Sequence, residues 1–135
     1  MEAARNKELL QRIFADLAKG DGRLFIDSMT EEFRWTITGT TKWSRTYDGK
    51  DAVIGELLAP LRARIADRIR TVGHHFVAEG DHVVVEARGN NLTTAGKRYD
   101  NSYCYVFRLE GGKLAALTEY LDTELVTAAL GDPTG

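Results

Sequence analysis

The sequence predicts an α+β domain in which helices cover one face of a strongly curved, mostly antiparallel sheet. Two observations predict it. Apolar residues recur at helical spacing through much of the first half of the chain, whereas from Ile69 onward the period becomes two. Three turn-forming clusters, EGDH, TTAGKR and EGGK, then cut the second half into segments of strand length.

Leu9, Leu10, Ile13, Phe14 and Leu17 make one apolar stripe, which predicts a helix over 7–17 that the glycines of KGDG end. Residues 24–29 predict one further helical turn. In FRWTIT, Phe33, Trp35 and Ile37 alternate with Arg34, Thr36 and Thr38, as a half-buried strand requires. The stretch TGTTKWSRTYDG reads as a long loop. Asp51 is a candidate N-cap for a second helix carrying Val53, Ile54, Leu57, Leu58, Leu61 and Ile65. Pro60 inside that pattern predicts a kink or break near Ala59. Strands are predicted over 69–79, 82–93, 98–110 and 113–122, as an antiparallel meander.

A chain of 135 residues suits a single domain, 1–135, large enough for one core. Its net charge of −2 offers no basic excess for a phosphate backbone, so no nucleic-acid partner is expected. The N-terminal MEAARNKELLQRIF lacks the apolar run of a signal peptide, and no segment approaches the length of a membrane span. No membrane association is expected, and the expected location is cytoplasmic. The single Cys104 cannot form an internal disulfide and fits a reducing compartment. No His, Asp and Glu set has ligand spacing, so no metal is expected. There is no G-x-S-x-G, and GDGRLF lacks the Lys-Ser/Thr ending of a phosphate loop.

The layout of helix, short helix, strand, a W…YDGKDAV lead-in to the second helix, and strands closing on YDNSYCYVF…GGKL…EYLDT resembles the SnoaL-like and ketosteroid-isomerase-like branch of the nuclear transport factor 2-like superfamily. The resemblance spans about 6–125 and is most specific over 99–123. It implies a cone-shaped α+β barrel, cystatin-like in outline, with an apolar pocket at its wide end. It also implies a small hydrophobic ligand, no cofactor, and a homodimer formed through the sheet, with the outer faces of 82–93 and 98–110 as contacts. The superfamily hosts isomerases, cyclases and epoxide hydrolases on this frame, so the fold does not choose among them. The expected function is therefore binding of a small hydrophobic ligand, with cofactor-independent isomerase, cyclase or hydrolase chemistry carried by an aspartate. The alternative is a non-catalytic ligand-binding or dimeric interaction module.

Period two places Thr118, Tyr120 and Asp122 on one face of the last strand, and Glu119 and Leu121 on the other. Asp122 matches the position where SnoaL-like cyclases carry their acid/base aspartate, so the resemblance selects it over Glu119. The competing reading, at equal weight, is a cap on the helical turn TELVTAAL, and a bulge would exchange the two faces. Tyr99, Asn101, Tyr103, Tyr105 and Phe107 share a face. Tyr103 and Asn101 are the candidates to hold a ligand oxygen, against plain aromatic packing. His74, grouped with Val72 and Phe76, is a candidate acid/base, against a satisfied structural histidine. Trp35, Trp43, Tyr47 and Tyr120 are candidate ligand contacts.

Arg88 with Asp122 would supply two parts of the Asp-Arg-Asp arrangement of the epoxide-hydrolase branch; the sequence does not reveal the third. The ketosteroid isomerases use a tyrosine in the first helix and an aspartate after the first strand. Here Phe14 stands in that helix without a tyrosine, and no acid lies between Phe33 and Trp43, so steroid isomerisation is not expected.

Overall fold

The computed structural model describes residues 2–134. Helix α1 (Glu2–Leu17) buries Leu10, Ile13 and Phe14, the stripe its spacing predicts. A short α2 (Arg23–Asp27) adds Phe25 to the same core. Strand β1 (Met29–Ile37) follows, with Phe33, Trp35 and Ile37 turned inward. The stretch read as a long loop contains a strand: β2 (Thr46–Asp48) pairs antiparallel with β1, Tyr47 opposite Trp35. Three residues are too few to carry a period of two.

The second helix runs as α3 (Lys50–Ala52), a wider π-helical turn over Val53–Leu58, and α4 (Ala59–Arg64). The disturbance expected near Ala59 is present as a widening that ends there. Pro60 has no N–H to give to the ladder, and its ring crowds the preceding turn, so extra backbone just upstream relieves it.

Strands β3 (Thr71–Glu79), β4 (His82–Gly89), β5 (Ser102–Glu110) and β6 (Lys113–Leu121) form the antiparallel meander. Strand β1 joins β6 in parallel, giving the order β2-β1-β6-β5-β4-β3. No ladder joins β2 to β3, so the sheet is curved and open, and the helices cover its concave face. The segment 90–101, expected to be mostly strand, leaves the ladder and returns through the bridge Leu92–Arg98. Helix α5 (Thr123–Leu130) ends the fold.

Two local features aim the side chains. The register of β3 slips between Gly73 and His75, so His74 is an extra residue in a β-bulge. A Cβ at Gly73 would lie 2.7 Å from the Phe76 ring and 3.2 Å from Phe14, which is why the bulge can close on that aromatic pair only with glycine. At the same end of the meander, beside β5 and β6, the fully buried Asn101 amide closes a ring of backbone bonds. Its Oδ1 accepts from the N–H of Ser102 and of Asp122, and its Nδ2 donates to the Asp122 carbonyl at 3.1 Å.

Among the described residues, no helix is long and apolar enough to cross a membrane. Cys104 is a free, half-buried thiol.

Because Asn101 satisfies backbone groups of Ser102 at the start of β5 and of Asp122 just past β6, Asn101→Ala is expected to lower the unfolding free energy by about 2 kcal/mol, without changing the far-ultraviolet dichroism. Urea denaturation checks this; an unchanged midpoint would show that water replaces the amide.

Candidate functional site

Pairing of β5, β6 and β1 fixes which side chains meet on the concave face. Tyr105, Glu119 and Ile37 stand in one row, and Phe107, Leu117 and Trp35 in the next. Helices α1 and α2 and the second helix do not fill the space above these rows. A cavity of about 520 Å³ remains, walled by Phe14, Phe25, Trp43, Leu57, Tyr103 and Val126 among others. Its wall is mainly apolar and aromatic, within the size range of small-molecule sites.

One buried carboxyl group interrupts that wall, the other lining acid, Asp67, being exposed. Glu119 is only 5% exposed and borders the cavity. The Trp35 indole Nε1 donates to its Oε1 at 2.8 Å across the parallel β1–β6 pair. Burial pushes the Glu119 carboxyl up from 4.5 to about 7, and the indole bond opposes only part of that rise.

Tyrosines surround it. Burial first, and the Glu119 charge second, push the Tyr99 hydroxyl up to about 12. Burial likewise holds Tyr103 and Tyr105 well above the usual phenol range, with neighbouring Tyr105 the next cause for Tyr103 and Glu119 the next for Tyr105. The rings of Tyr103 and Tyr105 stack at 5.0 Å, and Asn101 Nδ2 donates to the Tyr99 hydroxyl at 3.3 Å. Near neutral pH these phenols stay protonated, so Glu119 is the group in this cluster that changes charge.

Trp35, Trp43 and Tyr103 line the cavity. Trp43 is held from behind, its Nε1 donating to the Gly131 carbonyl at 2.9 Å and the Arg64 guanidinium lying over its ring. Other expected site residues lie elsewhere. Asp122 is exposed and caps α5, its Oδ1 accepting from the Leu125 N–H at 3.2 Å. The predicted strand phase is the one observed, but the concave face is that of Glu119 and Leu121, and β6 ends before Asp122.

His74 is exposed because the bulge breaks the alternation that grouped it with Phe76. Arg88 is exposed on the convex face, 3.5 Å from the Ser102 hydroxyl, so it forms no Arg-acid pair with Asp122. Tyr120 is 50% exposed on that same face. Tyr47 is packed in the core with its hydroxyl donating to the Trp43 carbonyl, and Asn101 serves the backbone; neither borders the cavity. The residue that sequence reasoning set aside is Glu119. Its signal was present: a lone acid at the centre of the apolar period-two series Leu117, Glu119, Leu121.

Among the described residues, no three His, Cys, Asp or Glu side chains come together as metal ligands would.

An open curved sheet wrapped on N-terminal helices is the architecture of the nuclear transport factor 2-like superfamily, and the chain lies in its SnoaL-like branch. It belongs to the SnoaL-like domain family, whose pattern matches residues 10–117. Among solved structures it is similar to Bal32a from a soil-derived mobile gene cassette, at 21% identity and a TM-score of 0.83 over 96% of this chain and 99% of that one. It is also similar to a putative SnoaL-like polyketide cyclase from Jannaschia sp. CCS1, at 21% identity and a TM-score of 0.77 over 96% and 94% of the two chains. A Mycobacterium tuberculosis LEH-like epoxide hydrolase shares the fold at 16% identity and a TM-score of 0.73, over 96% and 92%. The chain has no significant match among curated proteins.

Glu119 has a testable thermodynamic signature. Its folded-state value lies above its unfolded one, so the folded protein holds the extra proton between about pH 4.5 and 7. The stabilisation is complete below that window and is lost as pH rises through it. Wild type should therefore lose about 3 kcal/mol relative to Glu119→Gln between pH 4 and 8, read by urea unfolding of both proteins. A constant difference across that range would mean that the carboxyl is solvated.

Proposed function

We propose that the chain binds a small, largely apolar molecule in the cavity and moves a proton on it with Glu119. The observation that carries this reading is the lone buried carboxyl in an apolar wall, whose proton affinity is matched to neutral pH. Trp35 holds one oxygen of the carboxylate, and the other is left to take a proton. With a ligand carrying a C–H next to a carbonyl, Glu119 removes that proton and the C–H electron pair forms an enolate. Tyr103, kept neutral, donates a hydrogen bond to the enolate oxygen. In an isomerisation Glu119 then returns the proton to a different ligand carbon. In a cyclisation the enolate carbon instead attacks a second carbonyl of the same ligand, its C=O π pair moves to oxygen, and Glu119 returns the proton to that alkoxide, in either case without a cofactor. The descriptions of two structural neighbours as a putative polyketide cyclase and an epoxide hydrolase support small-molecule chemistry on this frame. The cyclase-like reading is favoured, since Arg88, the arginine expected for epoxide opening, lies on the convex face.

Solvent-deuterium exchange into a panel of cyclic and aryl ketones, followed by proton NMR, tests this. Glu119→Gln is expected to lower the catalysed exchange at least about 100-fold while the ketone still binds. Equal rates in the two proteins would remove Glu119 as the base. Binding without exchange in wild type would leave a carrier in place of an enzyme.

We further propose a homodimer through the convex face of β3 to β6. Val77, Val84 and Val106 stand there in one register row, with Val77 49% exposed and Tyr120 50% exposed beside it. Apolar surface so placed is ordinarily covered by a partner. Light scattering should give twice the 15.0 kDa chain mass, and Val77→Asp with Val106→Asp should halve it. A 15.0 kDa wild-type particle would sink the dimer.

A further inference from the structure

At and beside the exposed part of the cavity lining, two acids already have partners and two arginines do not. Arg23 binds Asp21 at 2.8 Å, and Arg70 binds Asp67, which borders the cavity, at 3.1 Å. Arg62 and Arg68 also border the cavity, are exposed, and make no side-chain hydrogen bond or ion pair among the described residues. The Arg68 backbone N–H donates to the Asp67 carboxylate, while its guanidinium lies in the field of Asp21 and Asp67 with no ion pair to either. Its stem is set by a close approach: Gly20 has φ +83°, and a Cβ there would lie 2.6 Å from Arg68 Cβ. The stem of Arg68 thus lies along the turn after α1, where glycine leaves it room.

Glu119 forms the inner pole: it lines the cavity from the sheet at 5% exposure, whereas Arg62 and Arg68 line it from exposed surface. Neither rim arginine acts on its carboxyl, which responds to burial and to Trp35. A ligand anion beside Glu119 would be desolvated and repelled, whereas at the rim it would stay half-hydrated next to unpaired guanidinium groups. An anionic ligand therefore fits in only one direction.

We propose that the ligand is an amphipathic anion, an apolar body bearing one carboxylate, sulfonate or phosphate group. Arg62 and Arg68 hold that group at the exposed part of the lining while the body fills the cavity and its far end reaches Glu119. This rests on the reading that the cavity binds a ligand, and it adds the ligand's charge and orientation.

The test uses two fluorescent probes that differ by one anion, 8-anilinonaphthalene-1-sulfonate and the neutral N-phenyl-1-naphthylamine. The chain's two tryptophans, Trp35 and Trp43, both border the cavity, so energy transfer from them reports binding. Wild type is expected to bind the sulfonate more tightly, with affinity falling as salt rises, and the sulfonate should displace the neutral probe. Arg62→Gln with Arg68→Gln should weaken the sulfonate about tenfold and the neutral probe less than about twofold. If the double variant weakens neither probe, or both alike, or if the sulfonate fails to displace the neutral probe, the charge reading is overturned and the cavity reading stands. If neither probe binds wild type, both readings fall.

Discussion

The site depends on one hydrogen bond and the dryness around it: the Trp35 indole N–H on the Glu119 carboxylate. A buried carboxylate loses its hydration, and a single neutral donor returns only part of it. Two other arrangements would have removed the tension. A buried arginine would have held the group ionised, and full exposure would have kept it an ordinary acid. The chain supplies neither, and the proton is left finely balanced. The same dryness raises the three tyrosines, so one cause sets both the switching group and the neutral donors around it.

A cavity of about 520 Å³ is a burden in a domain this small, because its lining forfeits packing that a filled core would provide. The compensation is visible where the cavity walls meet the rest of the chain. Phe14 contacts Phe76, Tyr105 and Phe107 at ring separations of 5.7 to 6.1 Å, which ties α1 to the sheet beside the cavity. The last turn of α5 is held through its carbonyls, with Trp43 on Gly131 and Arg64 on Leu130. Asn101 locks the chain just past β6, at Asp122, three residues beyond Glu119. The wall is therefore fixed at its edges while its centre stays open, which is what a preformed site requires.

The elements were largely legible because the change from helical period to period two marks where helices stop and sheet begins. What escaped was whatever a short window or a local irregularity hides. Strand β2 has three residues and no period to detect. One bulge residue turned His74 outward. The strand phase around EYLDT was readable, yet phase alone does not say which face is concave, and resemblance chose Asp122. The neighbours of each acid held the physical answer: Leu117 and Leu121 flank Glu119 on its face, whereas Thr118 and Tyr120 accompany Asp122. An acid among leucines is one whose charge the fold penalises. Asp122 instead follows the last strand residue and precedes a helix, where a side-chain oxygen satisfies a free N–H at little cost.

The number of switching groups narrows the chemistry available to the proposed enzyme. Activating water on an epoxide calls for a base to take a proton and an acid to deliver one to the leaving oxygen, and two groups of opposite protonation must coexist. In this cluster only Glu119 changes charge near neutral pH, since the phenols are held far above that range. A single group that takes a proton must return it before the next turnover, and the simplest acceptor is the ligand that supplied it. Reactions that begin and end with the same proton count, such as moving a double bond or closing a ring through an enolate, satisfy that constraint without a second acid. Under the proposed reading, the isolation of Glu119 argues for internal rearrangement of one bound molecule over hydrolysis.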